Sequence, residues 1–208
     1  MAESNEHINS EDQLRSLYAE ASQLSQQKDV DTLDVHCQTM IAHSPFVCIA
    51  TTAADGSLDI SPRGDPPGSV KVLDPSHLLI PDRAGNNRLD TLSNLTKNPE
   101  VALFFIVPGV TETLRVSGTA KVIHDDPRLE SCAINGKIPP TGILVNVQRA
   151  CLQCGKALKR SALWDGTYQI DRTELPSFGK MLADQIGDGL SADDLDCSID
   201  DAYKNKLY

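Results

Sequence analysis

The sequence predicts a mainly β domain (an α+β protein): an antiparallel barrel of about six strands, with helices before and after it. Apolar runs of strand length recur between turn residues over positions 46–148, and only one helical pattern interrupts them. The remaining helical periodicity lies at the two ends of the chain. No glycine fingerprint of a dinucleotide-binding βαβ unit occurs, so the sequence does not favour a parallel sheet.

Two helical patterns precede the first strand. Residues 10–13 have the form of a capping box, and apolar residues then recur at helical spacing as far as Leu24. A second pattern stops before Ser44-Pro45, since the residue before a proline avoids helical backbone. The apolar positions are Leu14, Leu17, Ala21 and Leu24 in the first helix, and Leu33, His36 or Cys37, Met40 and Ile41 in the second.

The strands follow in order along the chain. Residues 46–52 form an uncharged apolar run, Asp55-Gly56 closes a hairpin turn, and residues 58–60 return as the second strand. Further strand patterns cover residues 70–73, 77–80, 101–107, 114–123 and 143–148, and the single internal helix covers residues 89–96.

The sequence after residue 165 has a pattern typical of helices. Ser177 and Ser191 stand where they can cap two amphipathic helices, whose apolar positions are Phe178, Met181, Leu182 and Ile186, then Leu195, Ile199 and Tyr203. We therefore predict an N-terminal helical extension over residues 1–44, the barrel over residues 45–165, and a C-terminal helical extension over residues 166–208 that packs on the barrel or on a partner subunit.

Charge and composition restrict the classes of partner. The 208 residues suffice for one full domain with added helices, and the formal net charge of -10 argues against a nucleic-acid or membrane-surface partner. No apolar run reaches the length of a transmembrane helix and the first residues are polar and acidic, so we expect a cytoplasmic protein whose cysteines stay reduced. Cys151 and Cys154 supply only two metal ligands, and no histidines show ligand spacing, so we expect no metal site.

The most informative stretch follows the strand that ends at Ile80. It is Pro81-Asp82-Arg83-Ala84-Gly85-Asn86-Asn87-Arg88, which leads into the internal helix. Guanidinium groups, side-chain amides and backbone N–H groups of this turn can converge on one anion, which predicts a phosphorylated ligand held directly by Arg83 and Arg88. The alternative is a polar loop in which Asn87 caps the next helix.

Two further basic residues are candidates. Arg63 stands between Pro62 and Pro66, and a stiff segment suits a residue that must keep its position beside a cofactor; the alternative is a surface arginine paired with Asp65. Lys71 lies on the following strand, where it is either near the cofactor or a solvent-facing lysine.

Four motifs in chain order resemble the pyridoxamine 5'-phosphate oxidase family of flavin-binding split barrels. They are Ser61-Pro62-Arg63-Gly64, the turn after Ile80, Asn98-Pro99-Glu100-Val101-Ala102-Leu103, and Leu114-Arg115-Val116-Ser117-Gly118. The resemblance covers residues 33–165 and is closer to a branch that carries a PDRxGNNR turn. It implies a six-stranded split β-barrel with FMN at a homodimer interface, and it places the FMN phosphate at the turn.

The resemblance also implies the cofactor-binding residues. Those near the turn are Arg63, Pro81, Asp82, Arg83, Asn86, Asn87 and Arg88, with Lys71 beside the N1–C2=O region of the flavin, and Thr113 and Arg115 from a later strand. Residues 154–164 are similar to the branch's CxKALxRSxLW segment, which implies that Lys156, Arg160 and Trp164 lie near the flavin from the partner chain. The alternative for Trp164 is a packing residue.

The resemblance implies a flavoprotein oxidoreductase that transfers a hydride or electrons to or from an unidentified small molecule. The alternative is a non-catalytic flavin-binding redox buffer or sensor. A haem-binding reading has no obvious axial His or Cys. We name no catalytic residue. We do not expect oxidation of pyridoxamine 5'-phosphate itself, because the resemblance implies basic and hydroxyl residues near the C-terminus that hold a second phosphate, whereas this chain ends in Asp200-Asp201-Ala202-Tyr203-Lys204-Asn205-Lys206-Leu207-Tyr208 after a strongly acidic helix.

Overall fold

The protein is described by a computed structural model over residues 7–187 and 189–208. It contains an eight-stranded sheet in which all strand pairs are antiparallel, in the order β3-β2-β6-β7-β8-β5-β4 with β1 added to β8. The strands are β1 Asp29–Val30, β2 Phe46–Thr52, β3 Leu58–Gly64, β4 Lys71–Asp74, β5 His77–Pro81, β6 Glu100–Ile106, β7 Thr113–His124 and β8 Thr141–Gln153. Because β3 and β4 are free edges, the barrel is split, and the predicted fold class is confirmed.

Most helices lie at the predicted places, but the first is divided in two, and the short helix over residues 156–160 was not predicted. The helices are α1 Glu11–Ser16, α2 Gln23–Gln27, α3 Val35–His43, α4 Asp90–Leu95, α5 Lys156–Arg160, α6 Phe178–Ile186 and α7 Ala192–Asn205. The prediction of one continuous first helix is wrong, because α1 ends at Ser16 and α2 is separate. Leu17 and Leu24 are exposed, so no packing extends the helical pattern across the gap. No helix in the described ranges has the length and apolar content to cross a bilayer.

The core lies inside the curved sheet under α3. Alternate residues of β2, β6, β7 and β8 point inward, as the period of a strand requires. The largest buried side chains there include Ile49, Phe105, Leu114 and Val145, and Leu33, Cys37 and Ile41 belong to the same cluster. The segment before the first long strand therefore contributes to the barrel core.

Strand β3 is longer than predicted, and this changes the position of Arg63. The strand continues through Pro62 to Gly64, and Arg63 is paired with Val47 of β2. A proline is tolerated there because β3 is an edge strand, so a missing backbone N–H removes no bond to an outer neighbour. Cross-strand partners face the same side of a sheet. Since Val47 is a core residue, the Arg63 side chain lies on the inner side of the barrel end.

Strand β8 is also longer than the predicted residues 143–148, and Cys151 lies within it. A bulge between Ser117 and Gly118 lets the long β7 and β8 strands stay paired on both sides of the irregularity. At Gly118 a Cβ atom would lie 2.0 Å from the Asn146 carbonyl oxygen, so the close approach of the two backbones requires glycine. The close packing of β7 on β8 thus accounts for the glycine in the sequence motif over residues 114–118.

We expect Gly118→Ala to lower the free energy of unfolding by about 1–3 kcal/mol or more, because the backbone of β8 must move to admit the methyl group. Thermal and urea denaturation measure the change. Gly64→Ala is the matched control, since its Cβ would meet nothing closer than the Pro45 carbonyl oxygen at 3.8 Å. Equal stability of the two variants would contradict this close approach, because it would mean that the bulge can accept a methyl group at position 118.

Candidate functional site

Two arginine–aspartate pairs join the end of β3 to the end of β5. Arg63 Nη1 lies 3.3 Å from Asp82 Oδ1, and Arg83 Nε donates to Asp65 Oδ2 at 2.7 Å. Each segment supplies one arginine and one aspartate, so the pairs cross. Backbone bonds hold both segments in place, because Asp65 N donates to Pro45 O and Asp82 N donates to Thr141 O. The alternative in which Arg63 pairs with Asp65 is wrong.

The crossed pairs are mostly removed from water. The side chain of Asp65 is 11% exposed and that of Asp82 is 13% exposed. Burial raises the pKa of Asp82, and the charge of Arg63 opposes the rise. Arg63 Nε and Asp65 Oδ1 are buried without a hydrogen-bond partner. An unsatisfied buried donor or acceptor is costly, so this junction retains an unused donor and an unused acceptor.

Two cavities lie on either side of the crossed pairs and share Arg63 and Arg83. The turn cavity, about 250 Å³, is lined by Asp59, Ile60, Ser61, Pro62, Arg63, Asp82, Arg83 and residues 85–92. The tail cavity, about 290 Å³, is more apolar and is lined by Pro45, Phe46, Val47, Val70, Ile80, Leu207 and Tyr208, with Arg63, Asp65 and Arg83 on its polar side. Their sizes suit a small ligand or part of a larger one.

The turn between β5 and α4 has an unusual backbone. Asn87 and Leu89 have φ angles of 57° and 59°, in the left-handed region that residues other than glycine seldom adopt. Leu89 is the residue before α4, and it makes no side-chain capping bond. The alternative in which Asn87 caps the helix is therefore wrong. Such strain concentrates at functional sites.

The side chains of the turn are exposed, and two of them bind neighbouring groups of the same segment. Asn86 Oδ1 accepts a bond from the Arg88 backbone N–H at 3.1 Å. The Arg88 side chain is 72% exposed and its Nε donates to Asp90 Oδ2 at 2.7 Å. Around the turn cavity, three arginines thus face three aspartates: Arg63, Arg83 and Arg88 against Asp59, Asp82 and Asp90. An anionic ligand must compete with these carboxylates for the guanidinium groups.

The structure places the other candidates elsewhere in the chain. Lys71 Nζ donates to the Gly68 carbonyl oxygen at 2.9 Å, on the side of β4 that faces α3. Thr113 and Arg115 pair with Gln153 and Cys151 at the end of β8, whereas Asp82 lies at its beginning. This 13-residue strand spans up to about 40 Å.

The helical candidates lie at the same far end of β8. Lys156 and Arg160 are exposed on α5, and Trp164 Nε1 donates to the Val110 carbonyl oxygen at 2.8 Å. The Thr113 side chain is buried. Within one chain, therefore, the turn residues come together with Arg63, and Thr113, Arg115, Lys156, Arg160 and Trp164 form a separate far group.

Tyr208 is the residue of this site that the sequence did not reveal. Its ring lies 5.9 Å from the Arg83 guanidinium carbon. No local pattern links a residue at the end of the chain to a turn far earlier in it. Among the residues that the structure describes, no three potential metal ligands cluster.

The pKa of Asp82 should rise further in Arg63→Met, because the positive charge that lowers it is removed. Carboxyl NMR titration measures this. Since the pKa of Asp82 in the folded protein is already above its ordinary value, its contribution to stability is present at low pH and is lost as the pH rises through that pKa. Arg128→Ala is the control: it removes the partner that lowers the pKa of Asp126 to about 2, and Asp82 should not respond. An unchanged Asp82 in Arg63→Met would contradict the pairing.

Comparison with known proteins gives one sequence match and several structural likenesses. Residues 33–148 match the family model for pyridoxamine 5'-phosphate oxidase. No curated protein matches the chain. HupZ of Group A Streptococcus is 17% identical with a TM-score of 0.47, over 56% of this chain and 90% of its own. A putative pyridoxamine 5'-phosphate oxidase from Lactobacillus delbrueckii is 24% identical with a TM-score of 0.47, over 58% and 94%.

A third similar structure is from Clostridium acetobutylicum, a protein related to general stress protein 26 of the pyridoxinephosphate oxidase family. It is 15% identical with a TM-score of 0.45, over 58% of this chain and 87% of its own. The family is shown by the sequence match, which covers more than half of the chain. The protein belongs to the pyridoxamine 5'-phosphate oxidase family.

Proposed function

We propose that the protein binds FMN, with the phosphate in the turn cavity, and acts as a flavin-dependent oxidoreductase on an unidentified small molecule. The observation that carries this proposal is the cavity in which Arg63, Arg83 and Arg88 meet beside a strained, exposed turn. Membership of the family supports the choice of a flavin. Solved structures similar to this chain include an FMN-binding protein from Syntrophomonas wolfei and a FAD-binding protein from Mycobacterium smegmatis.

The phosphate would take its bonds from the two arginines of the turn. Only Nε of Arg83 is engaged by Asp65, so its terminal nitrogens remain as donors. Arg88 is the most exposed of the three arginines, and it would exchange Asp90 for the phosphate. Charge-assisted bonds from a guanidinium fork to phosphate are among the stronger polar contacts, which favours this exchange. Asn86 and Asn87 add amide donors at the same rim.

The ring of the flavin would lie against the crossed pairs. Its pyrimidine edge carries carbonyl acceptors and one N–H donor, which suit the guanidinium and carboxylate groups of Arg63, Asp65 and Arg83 on the polar side of the tail cavity. Bound FMN supplies hydride and electron transfer, and the residues of this chain hold it, orient it and exclude water from its ring. Pro81 and Asp82 close the β5 side of the same space.

We also propose a homodimer, because one chain separates the candidate residues. The outer face of β2 and β6 presents small or apolar side chains without charge, namely Cys48, Ala50, Ala102 and Phe104, next to Arg115 and Ser117 of β7. An exposed apolar patch of this kind is typical of an interface. A second copy seated there would let its far group reach the turn cavity, as a two-fold interface repeats every contact.

A specific observation favours a second candidate, a non-catalytic flavin-binding redox buffer or sensor. Each charged side chain of the crossed pairs is held by a partner, so none of these four groups is free to exchange protons with a bound ring. Turnover of NAD(P)H or of a reduced deazaflavin distinguishes an enzyme from a buffer.

For pyridoxamine 5'-phosphate itself we propose no useful oxidation, and formation of pyridoxal 5'-phosphate at about one per second or faster would contradict this.

Arg88→Ala should weaken FMN binding by about one to two orders of magnitude, because charge-assisted bonds to the phosphate are lost. Riboflavin, which lacks the phosphate, should bind the wild type much more weakly and should lose little on mutation. Titration of the apoprotein by flavin fluorescence quenching measures both ligands. Arg128→Ala is the control, because Arg128 is paired with Asp126 away from the cavities. Equal affinity of the wild type for FMN and riboflavin would show that the turn holds no phosphate.

Ala102→Arg should convert the dimer to a monomer and weaken FMN binding, since a charge is forced into the proposed interface. Sedimentation velocity at micromolar concentration measures the assembly. Ala54→Arg adds the same side chain at the exposed β2–β3 turn and should leave the dimer intact. A wild-type protein that sediments only as a monomer, or an Ala102→Arg variant that remains dimeric, would refute this interface.

A further inference from the structure

The last two residues of the described chain lie on the candidate site. Helix α7 ends at Asn205, and Leu207 and Tyr208 then line the tail cavity together with Arg63 and Arg83. The Tyr208 ring faces Arg83 at 5.9 Å, a distance at which a cation attracts an aromatic face. The segment of residues 207–208 therefore forms one wall of the cavity that Arg63 and Asp65 also line.

A lysine adds a further contact between this wall and the barrel. Lys137 Nζ, in the loop before β8, donates to the backbone oxygen of Tyr208 at 2.7 Å. In the described part of the chain, no backbone-to-backbone hydrogen bond joins residues 207–208 to the sheet. Segments held by few contacts open at small free-energy cost. Leu207 is 58% exposed, so little buried area opposes its release.

The tyrosine ring is nevertheless in a defined environment. Burial raises the pKa of Tyr208, the nearby Asp65 carboxylate raises it further, and Arg83 opposes both. The phenol is therefore neutral at physiological pH. A neutral ring beside the crossed pairs can lie against a flat, uncharged ligand ring. Tyr208 also lines a smaller cavity together with Ile134, Ile138 and Pro139.

We propose that the Leu207–Tyr208 segment is a removable cover of the flavin site, tied shut by Lys137, with the Tyr208 ring as the wall that contacts the bound ring system. The proposal rests on the proposed function, because it names a flavin as the ligand beneath the cover. It adds a residue far in sequence from the phosphate turn, and it predicts that access to the site is controlled by the tail.

The first experiment tests the cover without any ligand. Apoprotein labelled with 3-fluorotyrosine gives signals from four tyrosines, and Tyr208→Phe identifies the one that belongs to Tyr208. By ¹⁹F NMR, the Tyr208 phenol should titrate at higher pH than free 3-fluorotyrosine. Lys137→Met should return it to the free value, because the tail is released. Lys204→Met is the matched control, since Lys204 is an exposed lysine of α7 that forms no ion pair within the described ranges.

The second experiment measures the rates of flavin exchange. In stopped-flow fluorescence, Tyr208→Ala and Lys137→Met should both release FMN about tenfold faster than the wild type, as expected when one aromatic wall is lost, and should take it up faster. Lys204→Met should keep wild-type rates. Riboflavin should show the same acceleration of release, because the cover contacts the ring and not the phosphate.

The outcomes separate this inference from the proposed function. FMN binding with release rates within twofold of wild type in both Tyr208→Ala and Lys137→Met overturns the cover and leaves flavin binding standing. A Tyr208 phenol that titrates like the free amino acid in the wild type also overturns the cover. If neither the wild type nor any variant binds a flavin, the proposed function fails, and the cover fails with it. Faster release in both variants, together with a raised Tyr208 titration, supports the cover.

Discussion

The crossed ion pairs between β3 and the end of β5 are the constraint on which the site depends. In the sheet order, β3 is the last strand at one edge and β5 is the last but one at the other. Backbone hydrogen bonds do not join these two sides, so the barrel is split there. Arg63–Asp82 and Arg83–Asp65 connect the two sides with side chains. Because they are mostly buried, loss of one partner leaves an uncompensated charge, which is far more costly than loss of a surface pair.

The same arrangement leaves the site with unpaired polar atoms and backbone strain, which an ordinary protein core lacks. Arg63 Nε and Asp65 Oδ1 have no hydrogen-bond partner, burial raises the pKa of Asp82, and Leu89 is held in a left-handed conformation. Each of these features costs stability, and an ordinary structural junction would not retain all of them. A barrel with an inward-facing apolar core of this size can tolerate that cost. The junction thus keeps unused hydrogen-bonding capacity beside two cavities, which is why we propose it as a ligand site.

Local features of the fold were predictable from the sequence, and distant pairings were not. The bounds of β2 agree residue for residue, because seven uncharged residues between a proline and a turn allow few alternatives. The extent of β8 was underestimated, since the bulge opposite Gly118 interrupts the alternation on which the prediction rested. The first helix was overestimated, because its periodic apolar residues are not buried by anything. Periodicity reports which residues can be buried, and only the tertiary structure decides whether they are.

The same limit applies to the candidate site. The turn was identified from its composition, because its arginines and asparagines stand next to one another in the chain. The alternative in which Arg63 pairs with Asp65 is wrong, since Asp65 is near in sequence while Asp82 is near in space. The sequence did not indicate Tyr208 as a site residue, because its position near Arg83 depends on the path of the chain after α7. The far group was named only through family resemblance, and β8 separates it from the turn.

The proline at the edge of the sheet also bears on self-association. A free strand edge offers unpaired N–H and C=O groups to any other extended chain, and this is how fibrils and swapped sheets begin. The exposed Leu58 and Ile60 make β3 an attractive template. Pro62 breaks the row of donors in the middle of that edge, so a foreign strand cannot pair along its whole length. The residue that stiffens the backbone beside Arg63 thereby also protects the open barrel from aggregation.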